Sequence, residues 1–106
     1  MSKPHEFQLS YTISPKKPSN ESDAVKARTH MREKMGWNTI NNVETTLLGD
    51  INLAAGTNDE KRREASRLVR KSINDAFKAL DVDGRIIFKS SLMVTGVTPA
   101  IELNIP

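Results

Sequence analysis

The chain has 106 residues, the length of one compact domain and too short for two separate cores. Apolar residues make up 37% and charged residues 27%, which excludes global disorder, and the absence of cysteine excludes a disulfide framework and a thiolate zinc site. With 16 Lys and Arg against 13 Asp and Glu, the formal charge of +3 is mildly basic. It admits RNA, DNA or an acidic protein as a partner and argues against an acidic DNA mimic.

Taken in chain order, residues 1–10 read MSKPHEFQLS and lack the long apolar segment of a signal peptide. No run approaches the roughly 20 apolar residues that span a bilayer, so a cytoplasmic, non-membrane protein of bacterial or phage origin is expected. Phe7, Leu9, Tyr11 and Ile13 alternate with Gln8, Ser10 and Thr12, which predicts a strand with one apolar face. The prolines Pro15 and Pro18 then predict a loop, and residues 1–5 and 15–21 are expected to be flexible.

A first helix is predicted from Ser22, taken as its cap, with Asp23 at its positive end. Ala24, Ala27, Met31 and Met35 line one side, and Gly36 supplies the left-handed residue after the last turn. Next come Trp37, Thr39, Val43, Thr45 and Leu47, with the regular strand placed from Asn42 to Leu48 and a bulge or delay at Asn41 and Asn42. Gly49-Asp50 is read as a hairpin turn into a short strand, Ile51 to Ala54.

Thr57 and Glu60 have the spacing of a reciprocal capping box, announcing a long helix from Asn58 to Leu80. At about 100° per residue, Ala65, Leu68, Val69, Ser72, Ile73, Ala76 and Leu80 share one side. Arg63, Arg67, Arg70, Lys71 and Lys78 lie roughly opposite. Asp81-Val82-Asp83-Gly84 ends this helix, and Ile86, Ile87, Phe88, Leu92, Met93 and Val94 predict a buried strand. A turn at Gly96-Val97-Thr98-Pro99 leads to a last strand in which Ile101, Leu103 and Ile105 alternate with Glu102 and Asn104.

The resulting order, βαββαβ plus a C-terminal strand, predicts an α+β protein. Two helices would cover one face of a mainly antiparallel sheet in the split βαβ arrangement called ferredoxin-like. Small nucleases of similar fold occur among CRISPR adaptation and toxin–antitoxin proteins. The adaptation nucleases carry an acidic residue at the end of the first strand, which helps to hold a metal in the dimer. Here that position reads Ile13-Ser14-Pro15-Lys16, without a carboxylate. Fold similarity alone therefore does not carry nuclease activity.

No other pattern points to catalysis. His5 and His30 are distant in sequence and lack ligand spacing, and Asp81 with Asp83 lacks the remaining oxygen ligands of a calcium loop. No glycine pattern matches a Walker loop or a dinucleotide fingerprint, so neither a metal nor a cofactor is expected. Tyr11 and Phe88 do not make up the stacking motif of an RNA-binding sheet and are assigned to the core.

What remains is binding. Arg63, Arg67, Arg70, Lys71 and Lys78 are the candidate phosphate contacts to RNA or DNA, although the same residues also make an ordinary solvated helix face. Trp37 and the terminal strand, through Ile101, Leu103 and Ile105, are the candidate protein interface. That edge can pair with a second copy or another protein. The expectation is a non-enzymatic accessory or regulatory protein acting through protein contact, as a homo-oligomer or with a protein partner; the alternatives are a nucleic-acid-binding protein using the basic face of the long helix and, third, a ferredoxin-like endoribonuclease or other nuclease.

Overall fold

The computed structural model describes residues 2–40, 43–54 and 56–105. The strands are β1 (Ser2–Pro15), β2 (Asn38–Ile40), β3 (Val43–Ala54), β4 (Ile86–Val94) and β5 (Val97–Glu102). The helices are α1 (Glu21–Glu33) and α2 (Asn58–Ala79), with a short 3-10 turn at Pro18–Asn20 before α1.

One sheet holds all five strands in the order β2-β3-β1-β4-β5, and each described pair of neighbours is antiparallel. Because β1 and β2 both run antiparallel to β3, they are parallel to each other with β3 between them. By the same logic β3 and β4 are parallel with β1 between them. The chain is thus two interleaved split βαβ units with β5 added at one edge, the expected α+β, ferredoxin-like architecture.

The alternation in β1 decides which face is covered. Phe7, Leu9, Tyr11 and Ile13 are buried beneath the helices, whereas Gln8, Ser10, Thr12 and Ser14 are exposed on the other face. Opposite Leu9 stand Leu47 on β3 and Leu92 on β4, both fully buried. Helix α1 adds Ala24, Ala27 and Met31 to this layer, and α2 adds Ala65, Val69, Ile73, Ala76 and Phe77. At the centre, the Phe88 ring lies 5.8 Å from that of Tyr11 in a stacked pair and 5.7 Å from that of Phe77 edge-on.

Four local expectations change. Gly49-Asp50 is not a turn: β3 runs straight through it, paired with β1 from Ser2↔Ala54 to Ser10↔Thr46. The long β1 offers a partner along nearly the whole of β3, so pairing overrides the local turn preference. Gly49 serves close packing instead, since a Cβ there would lie 2.6 Å from the Phe7 ring and 2.8 Å from Trp37 Cδ1. The chain reverses between β2 and β3, where Asn41 and Asn42, read as a bulge or delay, lie outside the described residues.

Ser22 is not the cap of α1. The turn at Pro18–Asn20 already delivers the chain in helical geometry, so the helix starts at Glu21 with Asn20 at the cap, and Ser22 falls within its first turn. The third change is on α2, where Phe77 belongs to the buried side and Ser72 is exposed, its hydroxyl donating back to the Leu68 carbonyl at 3.2 Å. Lastly, the turn before the final strand is at Thr95-Gly96, so Val97, Thr98 and Pro99 already belong to β5.

Several expectations are met in detail. Thr57 and Glu60 form the reciprocal capping box, with the Thr57 hydroxyl accepting from Glu60 N–H at 3.2 Å and Glu60 accepting from Thr57 N–H at 3.3 Å. The Thr57 backbone N–H, then its hydroxyl, and to a smaller extent the charge of Arg63 hold the Glu60 carboxyl below its ordinary pKa. Gly36, with φ of 79°, follows the end of α1 as the spacing predicted, and Asp81 and Gly84 take left-handed backbone after α2.

Candidate interaction surfaces

The five basic residues predicted on α2 share a helix but not an environment. Arg63, Arg67, Lys71 and Lys78 are exposed, and Arg70 is half-buried. Lys71 pairs with Asp75 at 3.2 Å, an exposed i,i+4 contact of small energetic weight. Arg70 donates to the Asn104 carbonyl at 2.8 Å and so helps to fasten the C-terminal segment. Arg63, Arg67 and Lys78 make no ion pair among the described residues.

The predicted interface residues of the last strand are turned inward. Leu103 is fully buried and Ile101 nearly so, while Ile105 is half-buried and bridges to Phe88. Backbone bonds from Leu103 to Ser90 (3.1 Å) and between Ile105 and Phe88 (2.8 and 2.9 Å) point these odd-numbered residues toward β4. Alternation turns the backbone groups of Ala100, Glu102 and Asn104 outward, along the edge of the sheet.

Helix α2 occupies much of that edge. Asn58 accepts from Thr98 N–H at 3.0 Å through its side-chain oxygen and donates to the Thr98 carbonyl through its amide. Arg62 donates to the carbonyls of Pro99 (3.2 Å) and Ala100 (3.4 Å), and Arg70 takes that of Asn104. Side chains that satisfy an edge strand remove the template on which another strand would add. Sequence reading missed Asn58 and Arg62 in this role. The available signal was an arginine at position 62 lying within the arc that faces the sheet.

The opposite edge is open. Strand β2 has only three residues, and its pairing with β3 stops at Asn38↔Leu48, leaving Gly49–Ala54 without a strand on that side among the described residues. Which groups face out follows from one bond and the strand register. Thr95 N–H donates to the Glu6 carbonyl at 2.9 Å, so even-numbered residues in this part of β1 turn toward β4 and odd-numbered ones toward β3. Their partners Gly49, Ile51 and Leu53 therefore bond to β1, and Asp50 and Asn52 present N–H and C=O outward. Consistently, the outward N–H of Ala54 is taken by the Glu64 carboxylate at 2.8 Å.

Beside this open edge lies a groove of about 360 Å³ between β3 and α2, lined by Trp37, Ile51, Leu68, Val69, Lys71 and Ser72 together with Asp50 and Asn52. Trp37 is half-buried, its ring edge-on to Phe7 at 5.1 Å, so it is part of the core and also a wall of the groove. Of the predicted interface residues, Trp37 alone is joined to an open strand edge. Asp50, Asn52 and Leu68 were not foreseen as its neighbours because the sequence placed a turn at residues 49–50.

Among the described residues no three or more His, Cys, Asp or Glu side chains come together where they could hold a metal ion. His5 sits on β1 with its Nδ1 2.9 Å from the Lys3 carbonyl, and His30 lies on α1. At the end of β1 the Ile13 carbonyl accepts two bonds from Arg28, at 2.7 and 3.2 Å, where the nuclease comparison would require a carboxylate. The nearly buried Asp23 lies 3.7 Å from Arg85 and 3.4 Å from the Asn20 amide, a structural pairing at the start of α1. No described helix is long and apolar enough to cross a membrane. No family model matches the chain, and neither a curated protein nor a solved structure matches it.

Proposed function

We propose that this is a small non-enzymatic binding domain that acts through protein–protein contact at the open edge of β3 beside Trp37. One observation carries the reading: β3 exposes the backbone groups of Asp50 and Asn52 next to an apolar groove, while much of the β5 edge is taken by Asn58, Arg62 and Arg70. Recognition would be by strand addition, in which backbone bonds supply affinity and the groove selects a side chain. A partner segment pairing there would place one apolar side chain against Trp37, Ile51 and Leu68.

A photo-reactive residue at the exposed groove position Ser72, compared with one at exposed Lys26 on α1, tests this in extract of the cells that make the protein. A discrete protein adduct is expected from position 72 alone. It should disappear with Asn52→Pro, which deletes an outward N–H that an edge strand tolerates losing. Equal adducts at both positions, or none at position 72, would overturn the reading.

The second reading is nucleic-acid binding, favoured by the exposure of Arg63, Arg67 and Lys78 outside ion pairs among the described residues. On that reading Arg67→Glu combined with Lys71→Glu weakens binding of labelled RNA or DNA and flattens its salt dependence. Affinity and slope unchanged by the double reversal would remove it.

A further inference from the structure

The helix-free face of the sheet is unlike the rest of the surface. Across its three central strands it exposes Gln8, Ser10, Leu48, Ser91 and Met93, with Thr46 buried among them, and none of these is charged, in a chain that is 27% charged. The described exposed large hydrophobics are Val25, Leu48 and Met93, and the last two share one row, flanking Gln8 at 37% and 57% exposure. Ser10 and Thr46 bond to each other through their hydroxyls at 3.3 Å, which reduces their demand for water. Depletion of charge around apolar side chains is the composition of an interface core, with charge kept to the rim.

The rim names the occupant. At one end of this stripe Glu6 stands opposite Asp50, and at the other Lys89 stands opposite Thr12, with Glu102 at the lateral edge across from Ser91. Six residues of β1 separate these rows, about 20 Å along the strand. A two-fold axis crossing the strands between the Gln8 and Ser10 rows lays the acidic end of one copy over the Lys89 end of the other. An axis along the strands would set the acidic row against itself. We infer that this face is the contact surface for a second copy of the chain, packed sheet on sheet with strands reversed, and with Glu6 and Lys89 of opposite copies brought into reach. This contact is separate from the β3 edge and does not depend on it.

Sedimentation of the full chain over a wide concentration range, with circular dichroism to confirm folding, tests the assignment. The chain is expected to reach a dimer. Glu6→Lys or Lys89→Glu alone should raise the dissociation constant about tenfold, and the two together should restore it to within about threefold of the original. Both side chains are exposed, so folding is preserved. A monomer at every concentration, or a dimer indifferent to both single reversals, would overturn the inference. So would a dimer broken instead by Asn52→Pro, which would assign self-association to the β3 edge. A monomer that still forms the Ser72 adduct would leave the binding-domain reading intact and remove only this one.

Discussion

The Glu64 carboxylate accepts the backbone N–H of Ala54 at 2.8 Å, so the long helix clips the end of the strand that precedes it. This contact tells which way β3 turns its backbone and stops the strand from fraying at its open edge. Glu64→Ala should therefore cost about 1 kcal/mol. The Ala54 amide should exchange with solvent faster relative to those of the strand centre, as read by hydrogen exchange. An unchanged Ala54 rate would mean that the clip does not hold in solution.

Gly49 is predicted to be intolerant of even one methyl group. Its Cβ position is filled by the Phe7 ring and by Trp37. Gly49→Ala should destabilise by about 1–3 kcal/mol, because the rings must shift to make room. Tryptophan fluorescence should change as Trp37 is displaced. Were Gly49 a turn residue, the substitution would act through the backbone alone and leave the emission of Trp37 as it was.

Phe77 and Ser72 exchange the importance that helical spacing suggests for them. Phe77 is 1% exposed and meets Phe88 edge-on, so Phe77→Ala should cost about 3–5 kcal/mol by leaving a cavity between α2 and the sheet. Ser72→Ala, at an exposed site, should fall within about 0.5 kcal/mol of neutral. Denaturant midpoints of the two variants decide this directly.

The cap of α2 gives a pH dependence whose sign is fixed. Thr57 holds the Glu60 carboxyl below its ordinary pKa, so the folded state favours the ionised form more than the unfolded chain does. The associated stability is present above the unfolded value, about pH 4.3 for glutamate, and is lost as the pH falls through the lower folded value. Thr57→Ala keeps the backbone N–H and deletes only the hydroxyl, so it should reduce this acid-sensitive component and, through loss of the side-chain cap, cost about 1 kcal/mol at neutral pH. Thermal unfolding of both proteins from neutral to acid pH would show it, and parallel curves would contradict it.

Local pattern alone determined a large share of this protein. Alternation in β1 fixed the buried face, because a strand side chain can point only to one side or the other. Thr57 with Glu60, and Gly36 after α1, marked helix ends because the unsatisfied backbone groups there must find partners. The alternation of strands and helices followed, and with it a sheet whose helices lie on one face, although the hairpin falls between β2 and β3 and not at Gly49-Asp50.

Only the tertiary structure decided the surfaces. Gly49-Asp50 has the local chemistry of a turn, yet β1 supplies a partner for the whole stretch and packs Phe7 and Trp37 over the glycine. Ile101 and Leu103 alternate like an exposed edge, yet both are buried, and part of that edge is held by Asn58 and Arg62, whose targets are about 40 residues away. Such partners are distant in sequence, so no local period records them. The physical reason is general: a strand's facing depends on its own alternation, whereas its freedom to bind depends on which remote groups already hold its backbone.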